Sequence, residues 1–211
     1  MRRIAAALLS LACCAPPALA LNWHFEIPDS GPGIGAYSSI ALGPSGQVHI
    51  AYFDGSHGIA KYAFYDGTAW LVETLDGQYL CGHYTSIKLD SRGTPHVGYR
   101  YYSGHSLRYA TRDGSWTHME FETDPDMEAD VSLDLDGADR PHVAYWDGEY
   151  QGEPHDLDYA SYDGSNWIVE TVDSAGDVGR NASLALDSHG LPHISYYDQT
   201  HTTLKYAREA W

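Results

Sequence analysis

The sequence predicts an all-β fold, a four-bladed β-propeller built from four-stranded antiparallel blades, and three observations lead to it. The chain contains four imperfect copies of one unit, each unit has the residues of four short strands, and no stretch shows a helical period. The copies share a serine, a histidine and a tyrosine at matching positions: Ser39, Ser86, Ser132 and Ser183, then His49, His96, His142 and His193, then Tyr62, Tyr109, Tyr159 and Tyr206. Repeat lengths of 47, 46 and 51 residues are typical of stacked or circular repeat folds.

Each repeat contains four predicted strands, which we call a, b, c and d in chain order. Strand a begins near the repeat serine and ends at a turn rich in Gly, Asp or Ser, such as 43–46 or 90–93. Strand b is rich in β-branched and aromatic residues, as in 48–53. Strand c ends at an Asp-Gly dipeptide such as Asp66-Gly67, and strand d starts at the tryptophan that follows, here Trp70. Such two-sided apolar strands are expected in propeller blades, which pack against neighbours.

The first and last strands of the mature chain predict how the ring closes. Trp23 precedes Ser39 by sixteen residues, the same spacing that separates each later strand d tryptophan from the next repeat serine. Residues 22–28 therefore have the sequence of a strand d, whereas the last repeat reaches Trp211 after strand c. We expect residues 22–28 to be the outer strand of the last blade, which would remove open sheet edges. The alternative is a larger ring made by two copies of the chain.

Residues 1–20 have the pattern of a signal peptide, with a basic start, a short apolar run and an Ala-Leu-Ala ending at Ala20. The run is shorter than the roughly 20 residues of a membrane-spanning helix, and no other transmembrane segment is predicted. We therefore expect a secreted or periplasmic protein with one propeller domain at 21–211. Because Leu11-Ala-Cys-Cys14 loosely resembles a lipobox, lipoprotein anchoring is the alternative.

The charge excludes one class of partner. The formal net charge is −17 at neutral pH, and the predicted cleavage removes two further arginines. Such a negative field repels phosphate backbones, so no nucleic acid is expected as a partner. Only Cys81 remains in the mature chain, and the domain must fold without an internal disulfide. We expect this thiol to be inert.

Two turns resemble those of a known class of propellers. The sequences Tyr65-Asp-Gly-Thr-Ala-Trp70 and Tyr162-Asp-Gly-Ser-Asn-Trp167 resemble the Asp-box (BNR) turn, which joins strands c and d in sialidase-like propellers. The copy at Asp113-Gly-Ser-Trp116 is one residue shorter, and tyrosine stands where the Asp-box begins with serine. The resemblance covers nearly the whole mature chain and implies a propeller, but it implies no particular chemistry.

Candidate binding residues lie where the four repeats differ. The loops from d to the next a and from b to c should gather on one face, around the central channel. The predicted ligand-binding residues there are Tyr37, Asp54, His83, Tyr84, Arg100, Tyr101, Asp130, Asp147, Arg180, Asn181 and Asp198. Arginines, carboxylates and aromatic rings facing one cavity could bind a polar ligand, and a solvated acidic rim is the alternative. For the four repeat histidines we expect hydrogen-bonded core positions, so no metal-binding residue is assigned.

Three functions fit this pattern. The first is a non-catalytic binding module for a small polar ligand or glycan, with tyrosine and tryptophan rings as stacking surfaces, no cofactor and no catalytic residue. The second is a sialidase-like glycoside hydrolase that uses two rim carboxylates, although only Arg100 and Arg180 of the three arginines needed would reach the rim. The hydrolase carboxylates would come from Asp54, Asp130, Asp147 and Asp198.

The third function is a calcium-dependent interaction scaffold, because the acidic loops 124–130 and 173–177 offer oxygen ligands. No Ser-His-Asp elbow, phosphate loop, Cys-x-x-Cys pair or His-Glu-x-x-His motif is present in the sequence. The binding module leads these three hypotheses, and its oligomeric state is expected to be a monomer or a ring-forming homodimer.

Overall fold

The computed structural model describes residues 22–123, 130–147 and 155–209. The predicted signal peptide and lipobox, most of the acidic loop 124–130 and most of the long loop of the third repeat lie outside these residues. Within the described ranges, no helix is long and apolar enough to cross a membrane.

Fifteen β-strands lie in the described ranges, together with a short 3₁₀ helix at Tyr102–Gly104. The strands of the first two repeats are β1 (Ile34–Leu42), β2 (Val48–Asp54), β3 (Ile59–Tyr65), β4 (Trp70–Asp76), β5 (Cys81–Leu89), β6 (Pro95–Tyr101), β7 (Ser106–Asp113) and β8 (Ser115–Thr123). Those of the last two are β9 (Val131–Leu135), β10 (Pro141–Asp147), β11 (Asp156–Tyr162), β12 (Trp167–Asp173), β13 (Val178–Leu186), β14 (Pro192–Asp198) and β15 (Thr203–Arg208).

The strands form four antiparallel sheets, and in each sheet the order of strands follows the chain. We call the sheets blade 1 (β1–β4), blade 2 (β5–β8), blade 3 (β9–β12) and blade 4 (β13–β15). The first strands of successive blades contact one another, β1 with β5, β5 with β9 and β9 with β13. The prediction of an all-β fold of four blades is therefore confirmed.

Three apolar cores hold the blades together, each lying between two successive blades. At the edge of each core the repeat histidine of strand b is hydrogen-bonded through Nδ1 to the repeat tyrosine of strand c. The distance is 2.6 Å for His49 and Tyr62 and 2.5 Å for His96 and Tyr109. The third and fourth repeats make the same bond. The expectation of hydrogen-bonded core histidines is confirmed for His49, His96 and His142, whereas His193 makes the bond at a partly exposed position.

Cys81 lies in the core between blades 1 and 2, completely buried. Its Sγ donates to the Asp76 carbonyl oxygen at 3.1 Å, and the Ala60 amide donates to the sulfur at 3.4 Å. Burial raises the pKa of this thiol to about 12. The reactive thiolate does not form at neutral pH, as expected of an inert cysteine.

The Asp-Gly turns between strands c and d are built as their sequence predicts. Oδ1 of Asp66 accepts from the backbone amides of Thr68 at 2.7 Å and Ala69 at 2.9 Å. Oδ1 of Asp163 makes the same two bonds two and three residues further along the chain. The aspartate thus satisfies the amides of its own turn, which is a structural role.

The predicted closure of the last blade is not found in this structure. Blade 4 has three strands, and residues 22–27 form no strand. The Trp23 side chain, which should belong to a core, is 79% exposed. The physical reason is that, among the described residues, blades 1 and 4 share no core and no strand of one makes more than a weak contact with a strand of the other. Leu204 of β15 is 82% exposed, whereas Leu157 at the matching position of blade 3 is fully buried.

Candidate functional site

Three of the predicted site residues share an unusual backbone conformation. Tyr37, Tyr84 and Asn181 have φ angles of 54°, 53° and 54°, in the left-handed region that non-glycine residues seldom adopt. Each lies in a β-bulge near the start of strand a, where the register with strand b shifts. Bulges of this kind redirect side chains and are common beside functional sites. The repeat differences noted in the sequence thus fall on positions with special geometry.

The side chains at the junction of blades 1 and 2 form an aromatic group that we call the first rim cluster, made of Tyr37, Phe53, His83, Tyr84 and Tyr102. The ring centroids of Tyr37 lie 4.7 Å from Tyr84 and 5.0 Å from His83. Phe53 and His83 stack at 4.1 Å, and Tyr102 lies 6.2 Å from His83. Phe53 is buried beneath the others, while Tyr37 and Tyr102 are 44% and 48% exposed. The cluster therefore presents ring surface to solvent on a rigid base.

Arg100 brings a positive charge to the first rim cluster. Its guanidinium carbon lies 4.6 Å from the ring centroid of Tyr102, and the side chain is buried. Burial and the nearby Arg100 charge both lower the pKa of His83, so the imidazole is neutral at pH 7. A neutral histidine can donate one hydrogen bond and accept another, which suits a polar, uncharged ligand.

A second rim cluster lies at the junction of blades 3 and 4. The Arg180 guanidinium carbon is 4.0 Å from the Trp146 ring centroid, and the Trp146 and His155 rings are 4.3 Å apart. The backbone amide of Asn181 donates to Oδ2 of Asp130 at 3.3 Å. Phe53 and Trp146 both stand four residues after the repeat histidine, so the two clusters are built at the same place in the repeat.

Asp54 and Asp198, predicted in the b to c loops, are the last residues of β2 and β14, and both carboxylates point into the b to c turns. Oδ1 of Asp54 accepts from the Ser56 amide at 3.0 Å, and Oδ2 pairs with Nδ1 of His57 at 2.8 Å. Asp198 bonds to the amide and Nδ1 of His201 in the same way, at 2.8 and 2.9 Å. Both aspartates are 2% exposed. They stabilise turns and do not face a ligand.

The pKa of Asp54 shows how firmly its charge is held. Burial by itself would raise the pKa, but the hydrogen bonds from Ser56 and His57 outweigh it and lower the pKa to about 2. The pKa of Asp198 is also lowered, because the His201 bonds outweigh burial. Neither group could serve as a general acid near neutral pH.

Tyr101 is the third predicted residue that the structure places away from the rim. Its ring packs on the core between blades 1 and 2, and the Arg108 guanidinium carbon lies 3.8 Å from its centroid. Its neighbour Tyr102, in the 3₁₀ helix, takes the place on the rim. The sequence analysis did not identify Tyr102, Phe53, Trp146 or His155. Phe53 and Trp146 could have been found, because they stand four residues after the repeat histidine, the variable position that Arg100 occupies in the second repeat.

Asp147, the last predicted residue, belongs to a group of carboxylates in blade 3 rather than to either rim cluster. It lies opposite Asp156 in the sheet register, and Asp158 is two residues further along the same neighbouring strand. Burial raises the pKa of Asp158, and the charge of Asp156 raises it further although a bond from Thr171 opposes this. This group was not foreseen from the sequence as a unit.

Asp158 stands where the other three repeats have a cation. Arg108 of blade 2 bonds through Nη1 to Oδ2 of Asp76 at 2.8 Å, and Lys61 and Lys205 contact the matching aspartates, Asp29 and Asp173. Among the described residues, no group of three or more His, Cys, Asp or Glu side chains is arranged to hold a metal ion. Of the two loops considered for calcium, 124–129 lies outside the described residues, and Asp173 of the second is already bonded to Lys205 and Tyr196.

Comparison with known proteins places the chain by its fold. No family model and no curated protein matches the sequence. Among solved structures, an ulvan lyase of polysaccharide lyase family 25 matches with a TM-score of 0.59 and 16% identity, over 86% of this chain and 57% of that one. The chain has a β-propeller-like fold. It thus spans little more than half the length of the ulvan lyase.

Two further solved structures extend this comparison. A bifunctional GH43-CE protein from Bacteroides eggerthii matches with a TM-score of 0.51 and 12% identity, over 82% of this chain and 24% of that one. A fucose lectin from Kordia zhangzhouensis matches with a TM-score of 0.43 and 20% identity, over 63% of this chain and 96% of that one. At these identities the likeness concerns the fold alone, and none of these matches shows the Asp-box subclass.

Proposed function

We propose that this protein is a non-catalytic carbohydrate-binding module and that the first rim cluster holds the sugar. The observation that carries the proposal is the pair of half-exposed rings, Tyr37 and Tyr102, whose centroids lie 5.0 and 6.2 Å from that of His83. Exposed aromatic rings with a polar edge are suited to a ligand that has one apolar and one polar side. A sugar ring has this character, with C–H groups on its faces and hydroxyls around its rim.

The polar groups of the cluster suit sugar hydroxyls. His83 is neutral at pH 7 and offers both a donor and an acceptor, while the tyrosine hydroxyls can do either. The left-handed backbone at Tyr37 and Tyr84 holds both rings in place before any ligand arrives. A preformed site loses less conformational entropy on binding, which favours affinity.

The charge of the protein narrows the class of glycan. With a formal net charge of −17, the chain repels polyanionic ligands at long range. The positive groups near the rim, Arg100 and Arg180, each lie against an aromatic ring of the protein, Tyr102 and Trp146. We therefore propose a neutral glycan as the ligand.

The solved structures of similar fold support a carbohydrate ligand. The ulvan lyase was determined bound to a GlcA-Rha3S glycan, and the Bacteroides eggerthii protein is described as a GH43 enzyme. Both act on carbohydrates, on the same kind of blade scaffold. Because a fold hosts many activities, this support is secondary to the ring geometry.

The hydrolase alternative loses three of its four candidate carboxylates. Asp54 and Asp198 are bonded inside turns, and Asp147 lies opposite Asp156 in the sheet of blade 3. Asp130, the remaining candidate, accepts a bond from the Asn181 amide. A glycosidase needs two carboxyl groups on either side of one bond, and the rim clusters contain no such pair among the described residues.

The proposal is tested by screening the purified mature protein on an array of neutral and anionic glycans, with and without calcium. We expect saturable binding to neutral glycans, weakened about tenfold or more by Tyr37→Ala or Tyr102→Ala, since each removes a stacking surface. Tyr65→Ala is the control, because Tyr65 lies at the opposite ends of the strands. Arg180→Ala reports whether the second rim cluster contributes.

Each other outcome of the screen has a defined meaning. A flat array would refute the glycan proposal, and equal loss of binding in the Tyr65→Ala control would show that the rim is not the site. Release of product from an aryl glycoside, abolished by Asp130→Asn, would favour the hydrolase. Binding or thermal stability that appears only with calcium would favour the scaffold.

A further inference from the structure

Blade 4 ends the described part of the chain with one face of its sheet uncovered. We call the trailing face of a blade the side that contacts the next blade. On the trailing face of blade 4, Leu204 is 82% and Tyr206 58% exposed. The residues at the matching positions of blade 3, Leu157 and Tyr159, are 0% and 5% exposed because blade 4 covers them. The uncovered face therefore has the composition of an interior.

Blade 1 has the complementary uncovered surface, which we call its leading face. Ile40 is 62% exposed there, and Leu42 is exposed beside it. In blade 4 the residue that matches Ile40 is Leu184, which is 6% exposed because it packs against blade 3. A groove beside these residues is lined by Pro28, Ile34, Ile50 and Tyr52. It lies where the trailing face of a preceding blade would insert.

The N-terminal segment 22–29 shows which neighbour blade 1 is built to receive. Nε1 of Trp70 donates to Oε2 of Glu26 at 2.5 Å, as Nε1 of Trp116 donates to Glu73 of the preceding blade at 2.9 Å. Glu26 and Glu73 each stand three residues after the tryptophan that begins a strand d sequence. The segment therefore lies against blade 1 as the outer strand of a preceding blade would.

A second contact of the segment repeats in the same way. The Tyr52 hydroxyl donates to Oδ2 of Asp29 at 2.7 Å, and Lys61 contacts the same oxygen. Between blades 1 and 2, the Tyr99 hydroxyl donates to Asp76 at 2.9 Å, with Arg108 in the place of the lysine. Segment 22–29 thus occupies, on blade 1, the position of the outer strand d of a preceding blade. Among the described residues, no strand c lies beside this segment.

We propose that the missing blade is blade 4 of a second copy of this chain. The trailing face of one copy covers the leading face of the other, and residues 22–29 of the second copy pair with β15 of the first as its fourth strand. Strand addition of this kind supplies main-chain hydrogen bonds to an open sheet edge. A reciprocal contact between the same two copies closes a ring with no open face.

The register of this pairing follows from the blades that are complete. Strand d pairs with strand c so that Glu73 lies opposite Tyr62 and Glu170 opposite Tyr159. At the new edge, Glu26 would lie opposite Tyr206 of the other copy, and Phe25 opposite Ala207. Edge residues Lys205 and Arg208 of β15 are cationic, whereas the segment has Glu26 and Asp29, so the charges are complementary.

A second copy fits better than closure within one chain. In a single chain, the two faces do not touch, and each leaves large apolar side chains in water.

The test begins with the mass of the mature protein in solution, measured by sedimentation and native mass spectrometry at physiological salt, since like net charges repel at low salt. We expect twice the chain mass. Leu204→Asp and Ile40→Asp should each weaken association by about a hundredfold, since each buries a charge in the contact. Ile168→Asp, an exposed apolar position on β12 outside both faces, is the matched control and should remain a dimer.

Mixing the two variants separates a head-to-tail ring from other arrangements. In a mixed pair, one contact contains both changes and the other contains neither. Dimers should therefore reappear when Leu204→Asp and Ile40→Asp are combined, although neither associates alone. If the mixture stays monomeric while the wild type is a dimer, the contact does not join these two faces and the proposal is wrong.

A cross-link tests the strand pairing directly. Phe25→Cys and Ala207→Cys together should form a disulfide between chains on oxidation, seen as a covalent dimer on a non-reducing gel. Cys81 is buried and does not interfere. A link within one chain would show that blade 4 of the same chain covers blade 1 and would overturn the proposal. A monomeric wild type, or assemblies larger than two, would overturn it as well.

Discussion

At the scale of single residues, Trp167 shows how one change at a repeated position alters local chemistry. Trp116 donates from Nε1 to Glu73 of the preceding blade. For Trp167 the residue that corresponds to Glu73 is Met119, whose thioether is a weak hydrogen-bond acceptor at best. Nε1 of Trp167 is buried, and it has no hydrogen-bond partner among the described residues. An unpaired buried donor costs free energy of folding.

Met119→Gln should therefore stabilise the protein. The amide oxygen of glutamine can accept from Nε1 of Trp167, and we expect the free energy of unfolding to rise by about 1 kcal/mol. Urea unfolding measures this change. Met119→Leu is the control, since it keeps the apolar contact without an acceptor. A glutamine variant no more stable than the leucine variant would contradict the prediction.

The carboxyl group of Asp158 is a second residue at which one repeat departs from the other three. Asp158→Lys restores the cation that blades 1, 2 and 4 have at this position, beside Glu122 and Asp156. We expect a gain of about 1 to 2 kcal/mol in the free energy of unfolding at pH 7, where the buried Asp158 carboxylate destabilises the folded wild type. Because the pKa of Asp158 is raised in the folded state, this gain should shrink as the pH falls through it toward 3.8.

The matched control for that change is Lys205→Asp, which places the same unfavourable carboxyl in blade 4 and should destabilise the protein. Thermal unfolding at pH 7 and pH 4 shows whether each variant is more or less stable than wild type. An Asp158→Lys variant less stable than wild type at pH 7 would contradict the prediction.

At the scale of elements, strand b is the part of the fold that its sequence describes best. In β6 and β10, six consecutive residues are buried, as expected for strands packed on both faces. Strand β14 has the same kind of sequence, yet its burial alternates, because only one of its faces is covered. Composition therefore predicted the strand, while the neighbouring sheet decided how much of it is buried.

The histidines of strand b predict a dependence of stability on pH. Burial lowers the folded-state pKa of His49, His96 and His142 below the ordinary value of 6.5. Because the unfolded chain binds protons more tightly at these sites, their contribution is complete above about 6.5 and is lost as the pH falls through the folded-state values. We expect the free energy of unfolding, measured in urea, to decrease between pH 6.5 and pH 5.

The variant His96→Asn separates this effect from carboxylate titration. Asparagine keeps a polar side chain but does not titrate, so the slope between pH 6.5 and 5 should decrease. A second loss of stability should begin near pH 4, since hydrogen bonds outweigh burial and lower the pKa of Asp54 and Asp136 to about 2. An unchanged slope in His96→Asn would show that other groups control stability in the upper window.

At the scale of the whole molecule, the four blades form an open arc with three complete cores. Each core joins two successive blades, and none of them includes residues 22–28. The segment touches blade 1 mainly through Glu26 and Asp29. Folding of one chain and association of two chains are therefore separate in this architecture.

Deletion of residues 22–28 should leave a folded monomer. The three cores remain, and only the strand that would join another copy is lost, so the far-ultraviolet circular dichroism should be unchanged while the mass falls to that of one chain. Wild type measured at the same concentration is the control. A deletion variant that unfolds would mean that the segment is part of the core of its own chain, as closure within one chain requires.

The sequence alone determined the features that repeat, because a repeated spacing reports a repeated contact. It predicted four blades, the strands within them, the hydrogen-bonded histidines of strand b and the aspartate turns, but not that the histidines bond to the repeat tyrosines. Of the site it predicted the positions of Tyr37, His83 and Tyr84 but not their grouping with Tyr102. A local pattern does not show which of two adjacent side chains turns outward.

Only the tertiary structure decided the direction of side chains and the relation of the first blade to the last. Asp54 and Asp198 point into turns because each hydrogen-bonds to the ring of a histidine three residues later. Tyr101 points inward and packs against the Arg108 guanidinium. Whether blade 4 contacts blade 1 depends on the angles between neighbouring blades, which add up over the three blade-to-blade contacts from blade 1 to blade 4. Packing of whole sheets determines that angle, and no single stretch of sequence encodes it.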